Sequence, residues 1–364
     1  MKEEGKRRYV GIDLGKRDYT MAVISAKGKM SIHKGKTSEQ GRQALYRLLE
    51  KGDKIALEAG NMAFRMAREI MQRAGSEVRV LNSAKLPFIW DAPTKTDKED
   101  AMKLAHLVEE RRDEKLPIVP LPSEEELERR ETLANYSHEK KGRTRTINTL
   151  HSLFWKQGHT EVVRKNLATT EKAREAIKVL TGQVRENAEW QIKHLELYEQ
   201  RIKELENKIK KEAKEDEDMK LLQNIAGVGP VVAYGFVAHV GDGSRFSKGA
   251  QVSNYLGFVP RLDYSGTIQR QGHITKRGNA YLRGLLVQAA WSMVRSRKGG
   301  SLKERYEYLT KLQGKSKKKT IVSIGRRMAE LMYTILREKT KYEARPWKRA
   351  PNSPADLAGK ARSA

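Results

Sequence analysis

The chain has no cysteine among its 364 residues, which excludes disulfides and thiolate metal sites and fits a reducing compartment. It has no apolar run approaching the ~20 residues that a membrane-spanning helix needs. Its opening, MKEEGKRRYV, lacks the apolar segment of a signal peptide, so the expected location is intracellular and cytoplasmic. Acidic residues are scarce beside basic ones: 46 Asp and Glu against 73 Lys and Arg, a formal charge of +27. A highly charged but inert surface is one reading of that surplus. The basic runs recur along the chain instead of gathering in one tail, and this favours a polyanionic partner, nucleic acid first. At this length two or three domains are expected.

Residues 9–91 alternate strand and helix. Tyr9, Val10, Ile12 and Leu14 form an apolar strand between Gly11 and Gly15, with a carboxylate, Asp13, inside it. An ionised carboxylate there is costly unless it is paired or binds a metal. A second apolar run, Met21 to Ile24, follows at hairpin distance, and a short strand from Met30 to Lys34 comes after the Lys27-Gly28-Lys29 turn. Thr37 with Gln40 resembles a capping box opening a helix to about residue 51. Lys54 to Ala59 is a strand carrying Glu58; 61–74 has helical spacing; Glu77 to Leu81 is another strand. Such an order predicts an α/β layer fold with a mixed sheet. Beyond a loop or short helix over 83–95, Lys95 to Val108 reads as a helix capped by Thr96. Its Asp97 and Asp100, three residues apart, share one face of the first turn.

Pro117, Pro120 and Pro122 mark a linker, and Ser123 with Glu126 opens a long helix toward Trp155. A second helical run, 169–214, carries Val184, Ala188, Leu195, Tyr198, Ile202, Leu205 and Ile209 on one seam, interrupted at Gln191. Together these predict an antiparallel helical hairpin or coiled coil serving as a dimerisation arm, or a helix packed only on its own domain. Lys140, Lys141, Arg143 and Arg145 are basic enough to meet phosphates, though a solvated helix face explains them almost as well. From Met219 the chain becomes apolar and glycine-punctuated. Ile225-Ala226-Gly227-Val228-Gly229-Pro230 resembles a helix-hairpin-helix, with Gly227 and Gly229 letting amides approach a phosphate; a packing joint is the plain alternative. A compact segment, 246–292, ends in a helix from Asn279. Helices over 302–312 and 322–336 follow, joined by the basic run Lys315 to Lys319, and a loose tail begins after Pro346.

Converging carboxylates are ligands for hard cations, Mg²⁺ or Mn²⁺. Asp97 and Asp100 taken alone are ordinary helix-start acids, and Glu58 an ordinary strand-end residue. As a set, a strand Asp13, a strand Glu58 and a helical Asp97/Asp100 pair resemble the acids of the ribonuclease-H-like fold. GIDLGK, ALEAG, KTDKEDA, IAGVGP, LGFVPR, YSG and HITKRGNAYLR, in that order over about residues 9–340, resemble the DEDD insertion-sequence transposases, relatives of the bridge-RNA-guided DNA recombinases. That resemblance implies a RuvC-like domain at 1–120, a helical coiled-coil region at 121–216, and a mainly helical C-terminal transposase domain at 217–345, with a tail over 346–364. It implies a metal site of Asp13, Glu58, Asp97 and Asp100. It also implies a catalytic serine, Ser265, which attacks a DNA phosphodiester and forms a transient covalent protein–DNA link. On local chemistry alone, a serine before glycine in a polar turn is more often a turn residue than a nucleophile.

Arg261, Arg270, Lys276 and Arg277 are candidate phosphate contacts, with a solvated basic surface as the plain alternative, and His273 reads as a phosphate contact or structural residue ahead of a base. Ser247 and Ser253 read as caps or packing residues. The resemblance further implies double-stranded donor and target DNA, a structured noncoding guide RNA, and a homo-oligomer, dimeric or tetrameric, whose protomers share sites. A prokaryotic protein that joins the nucleoid when acting is the corresponding expectation. Actin-like kinases share the opening strand motif, but the chain has neither their second phosphate loop nor their adenosine motif. A Holliday-junction resolvase would share the acids without Ser265. A non-catalytic nucleic-acid scaffold would have no need of the four acids.

Overall fold

The computed structural model describes residues 7–60, 62–86, 96–265 and 268–347, with the side chains of 84 and 262–271 outside the description. The expected loop over 87–95, Gly266 after the serine, and the tail beyond 347 therefore lie outside the described residues. The chain divides into two compact units, residues 1–123 and 124–364.

The first unit is a five-stranded sheet in the order β3-β2-β1-β4-β5, from β1 (Tyr9–Leu14), β2 (Asp18–Ile24), β3 (Met30–Lys36), β4 (Lys54–Glu58) and β5 (Glu77–Leu81). β1, β2 and β3 pair antiparallel; β1–β4 and β4–β5 pair parallel. This is the mixed α/β sheet that the strand and helix order predicts, compatible with a ribonuclease-H-like domain. Because side chains alternate along a strand, one face of β1 and β4 presents Val10, Ile12, Ile55 and Leu57. That face is buried together with Leu45 and Tyr46 of α1 (Glu39–Leu48) and Met66, Ala67 and Ile70 of α2 (Ala63–Ala74). The cap of α1 is Ser38, not Thr37: Ser38 accepts from the Gly41 amide, while the buried Thr37 hydroxyl donates to the Lys16 carbonyl.

The other face carries Ala22, Ile24, Gly11 and Ala56 and is covered by α3 (Asp97–Glu110) through Ala101, Leu104 and Ala105. The Lys54 ammonium, at the start of β4, donates to the Arg111 carbonyl beyond the end of α3 (3.4 Å). The helix therefore runs antiparallel to β1 and β4, with its first turn over their C-terminal ends.

The second unit begins with α4 (Glu124–Lys156), followed by α5 (Thr170–Ala176) and α6 (Gly182–Glu215). The contacts Tyr136–Glu206, Arg143–Glu199 and Arg129–Glu212 keep a nearly constant sum of residue numbers, so α4 and α6 lie antiparallel. The buried seam of α6 is Ala188, Ile192, Leu195, Ile202, Leu205, Ile209 and Ala213. It is not interrupted at Gln191, because the neighbouring Ile192 fills that turn. The single run expected over 169–214 is broken at Leu180–Thr181, ahead of Gly182 with its φ of +54°.

Then come α7 (Glu217–Gln223), α8 (Pro230–Val240), α9 (Gly249–Tyr255), a hairpin of β6 (Pro260–Ser265) and β7 (Ile268–Ile274), α10 (Ala280–Arg295), α11 (Gly300–Glu307) and α12 (Lys317–Glu338). α8, apolar on all sides, is buried at the centre of a core that also takes in Leu133, Ile202, Leu286 and Met332. The antiparallel hairpin at 260–274 is the strand element within the mainly helical domain expected here, and α12 starts within the basic run instead of at Val322. No described helix is long and apolar enough to cross a membrane.

Candidate active site

Gly11 and Ala56 are paired across β1 and β4, as are Ile12 and Leu57. Continued by one residue, the same register sets Asp13 beside Glu58; both are half-buried, and the alternation of side chains puts both on the face covered by α3. Neighbouring strands are ~4.8 Å apart, so the two carboxylates leave the sheet side by side. The opposite neighbour of Asp13 is Thr20, buried on β2.

Above this rung lies the first turn of α3. Thr96 caps it by accepting from the Glu99 amide (3.2 Å), as the spacing predicts. Asp100 is buried, 6% exposed, and its Oδ1 has no hydrogen-bond partner; Asp97 is exposed. The Lys103 ammonium stands 4.0 Å from that same oxygen, a charge neighbour the sequence reading passed over although it lies one turn away.

Gly11 seats the helix. A Cβ there would collide with the Ala101 carbonyl and the Ala105 amide, and would lie 2.8 Å from the Leu104 Cβ. Only glycine admits α3 this close to β1, and a glycine inside a strand is the signal that could have announced it.

The donor set is all carboxylate oxygen, which suits a hard divalent cation. Among the described residues, no three acidic or histidine side chains converge closely enough to enclose an ion. Mg²⁺ is ordinarily held by one or two carboxylates with retained water. Asp13 and Glu58, adjacent at the ends of β1 and β4, are two such carboxylates, and Asp97 and Asp100 stand on the first turn of the helix that covers this face.

In the second unit Ser265 is the last residue of β6, paired with Ile268. The base of its hairpin is fastened to the helical core. Arg283 donates to the Leu256 carbonyl (2.9 Å), the Thr275 amide to Val259 (2.8 Å) and the Lys276 amide to Gly257 (3.2 Å). A Cβ on Gly257 or Gly278 would strike the Arg277 or Tyr255 carbonyl. Lys276 adopts φ +55°, a left-handed conformation costly for a residue with a side chain. Arg261, His273, Lys276 and Arg277 are exposed; the Arg270 side chain lies outside the described residues. Ser253 is buried and donates to Glu330 (3.0 Å), a packing role as expected.

The remaining nucleic-acid candidates divide. Lys140, Lys141 and Arg145 are exposed on α4. Arg143 is turned inward, bonded to Glu199 and to the Ala168 carbonyl, so its guanidinium fastens the helical hairpin instead of facing phosphates. Gly227, at φ +86°, packs its α-carbon against the backbone of α10 at Ala289 and Met293. It serves as a packing joint, while Gly229, the N-cap of α8, stands open with nothing within 4 Å of a Cβ.

Residues 10–156 match a family model for DEDD transposases, and residues 219–307 match one described as the transposase IS116/IS110/IS902 family. A family 20 transposase of Pseudomonas aeruginosa is 28% identical over 294 residues, covering 79% of this chain and 85% of its own. A transposase for an insertion sequence element of Coxiella burnetii is 30% identical over 141 residues, 39% of each chain. A pilin gene-inverting protein of Moraxella bovis is 28% identical over 126 residues, 34% of this chain and 38% of its own. The matches thus span most of the first relative's length and less than two fifths of the other two.

Proposed function

This chain belongs to the IS116/IS110/IS902 transposase family, and on that premise we propose that it cuts and rejoins DNA strands in the movement of an insertion sequence. The observation that carries the reading is the rung of Asp13 and Glu58 beneath the first turn of α3, held at close range by Gly11. Asp13, Glu58, Asp97 and Asp100 would hold a divalent metal, Mg²⁺ or Mn²⁺. When bound, such an ion stabilises the charge that builds on phosphate oxygens during displacement. Thr96 and the helix start keep the two helical acids in place, and Lys103 balances the charge on Asp100.

The covalent step is assigned to Ser265. Its hydroxyl oxygen would bond to phosphorus as the bond to the leaving DNA oxygen breaks. The serine's proton leaves, the departing strand end takes one up, and the phosphodiester energy is kept in the serine–phosphate link. A second strand end then displaces serine by the same exchange, so rejoining needs no nucleotide cofactor. The clamped hairpin base would hold the serine's strand still, and Arg261, Lys276 and Arg277 would meet phosphates. Selection of donor and target by a structured RNA, and completion of each site between protomers of a dimer or tetramer, rest on the family resemblance. The charge of +27 accommodates an RNA as readily as DNA.

The test is strand cleavage and adduct formation on DNA carrying the element ends. Asp13→Ala is expected to cut at least ~100-fold more slowly with the fold intact, the scale of losing a group that stabilises transition-state charge. Ser265→Ala is expected to abolish the covalent adduct. Undiminished cleavage in the first variant, or an adduct mapped to another residue in the second, would overturn the respective assignment.

A further inference from the structure

The second unit holds a groove of about 780 Å³ between α4, the first turn of α8 and α10 that the proposed chemistry does not use. One wall is basic: Lys140, Lys141 and Arg145 line it, and no acidic side chain does. None of the three forms an ion pair among the described residues, whereas the inward Arg143 of the same run does. The floor is apolar and aromatic, with Val231, Leu285 and the half-buried Tyr281. Burial and the nearby Glu206 carboxylate push the Tyr281 hydroxyl up to about 12, so its ring is neutral at every physiological pH.

Gly284 is the decisive residue. It lies inside the sixteen-residue helix α10, on the groove, exposed. A glycine at such a position weakens a helix relative to alanine. The usual compensation is a neighbour that needs the space, as Ala289 and Met293 do at Gly227, yet a Cβ at Gly284 would meet nothing within 4 Å. The protein itself does not need the missing methyl. The remaining use for a bare helix backbone is the close approach of something from outside.

We infer that this groove binds unpaired nucleotides of a single-stranded nucleic acid. A base lies on Tyr281 and the apolar floor and reaches the bare backbone at Gly284, while the phosphates face Lys140, Lys141 and Arg145. A duplex would offer the same phosphates, but its stacked bases cannot enter a pocket floored by an aromatic ring; splayed bases do so readily. The inference rests on the proposed nucleic-acid chemistry only for the class of partner, and it places no reaction here.

The test uses the full chain and fluorescence anisotropy with three probes: labelled oligothymidylate, labelled oligouridylate and a blunt DNA duplex. Tyr281→Ala is expected to weaken the single-stranded probes by about tenfold or more, the worth of one stacked base, and the duplex by less than about twofold. Gly284→Ala keeps the inference falsifiable where Tyr281→Ala fails to fold, since it should raise the melting temperature while weakening the single-stranded probes. A gain in melting temperature with unchanged oligonucleotide binding overturns the inference, as does equal loss of single strand and duplex, which would mark a general basic face. Failure of the wild type to bind either oligonucleotide overturns it too, in favour of an acidic protein partner. The two oligonucleotides decide between a DNA and an RNA source. Asp13→Ala should bind them as the wild type does, so loss of strand cleavage and loss of groove binding are read separately.

Discussion

His239, half-buried at the end of α8, ties the stability of the fold to pH. Its Nε2 lies 2.9 Å from Asn279 Nδ2, and Asn279 Oδ1 already accepts the Leu282 amide as the cap of α10. The amide group therefore donates, Nε2 accepts, and the ring proton belongs on Nδ1. Burial, with Arg130 and Arg245 nearby, pushes the imidazole down to about 4. In the unfolded chain a histidine titrates near 6.5. Above that both states are neutral; between it and about 4 only the unfolded state takes up a proton, so stability is lost as pH falls through this window. The expected loss approaches ~3 kcal/mol at the acid end. Urea unfolding of the wild type across that range should show the decline, and His239→Gln, which can still accept from Asn279, should flatten it. An equal decline in the variant would remove His239 as the cause. Glu69 titrates in a separate window: burial raises it, but hydrogen bonds from Tyr46, Arg65 and Arg42 outweigh that and bring it to about 2.

At the scale of elements, the contact that matters most for the proposed chemistry is α3 on β1. Gly11→Ala places a methyl group against helix backbone, which cannot rotate away as a side chain could. Overpacking of this kind costs ~1–3 kcal/mol. It also lifts the first turn of α3 from the Asp13–Glu58 rung, so strand cleavage should fall by more than the loss of stability explains when measured well below the unfolding midpoint. Normal cleavage by a destabilised variant would show that α3 need not sit at this distance. The helical hairpin gives the opposite lesson about charge. Arg143 and Arg145 are two residues apart in one basic run, yet one faces α6 and the other faces outward. Their spacing of two in a helix turns them about 200° apart, so a cluster of like residues does not make a shared face.

For the whole molecule, a formal charge of +27 makes association with nucleic acid a counterion-release process. For duplex DNA, a logarithmic plot of affinity against salt should be linear, with a slope of roughly −5 or steeper if six or more phosphates are neutralised. Lys140→Glu with Lys141→Glu should make the slope for the single-stranded probes shallower. A wild-type slope near zero would mean that the surplus charge faces no polyanion and serves only solubility.

The alternation of strand and helix, the Thr96 cap and the pairing of Asp97 with Asp100 on one helix turn were all legible in the sequence, because each follows from periods of two or 3.6 residues and from hydrogen bonds between near neighbours. The same local rules put Asp13 on a definite face of β1, and the basic surplus pointed to a polyanion without any fold. What the sequence could not supply was which strand lies beside β1 and in what register, since that pairing joins residues more than forty positions apart and is won by burial of the whole sheet. Tertiary structure alone set Asp13 next to Glu58, pressed α3 onto Gly11, turned Arg143 to Glu199 and left Gly284 bare on a basic groove. In each case the deciding interaction is between surfaces that meet only after folding, where close packing settles which groups are spent within the protein and which remain available to a partner.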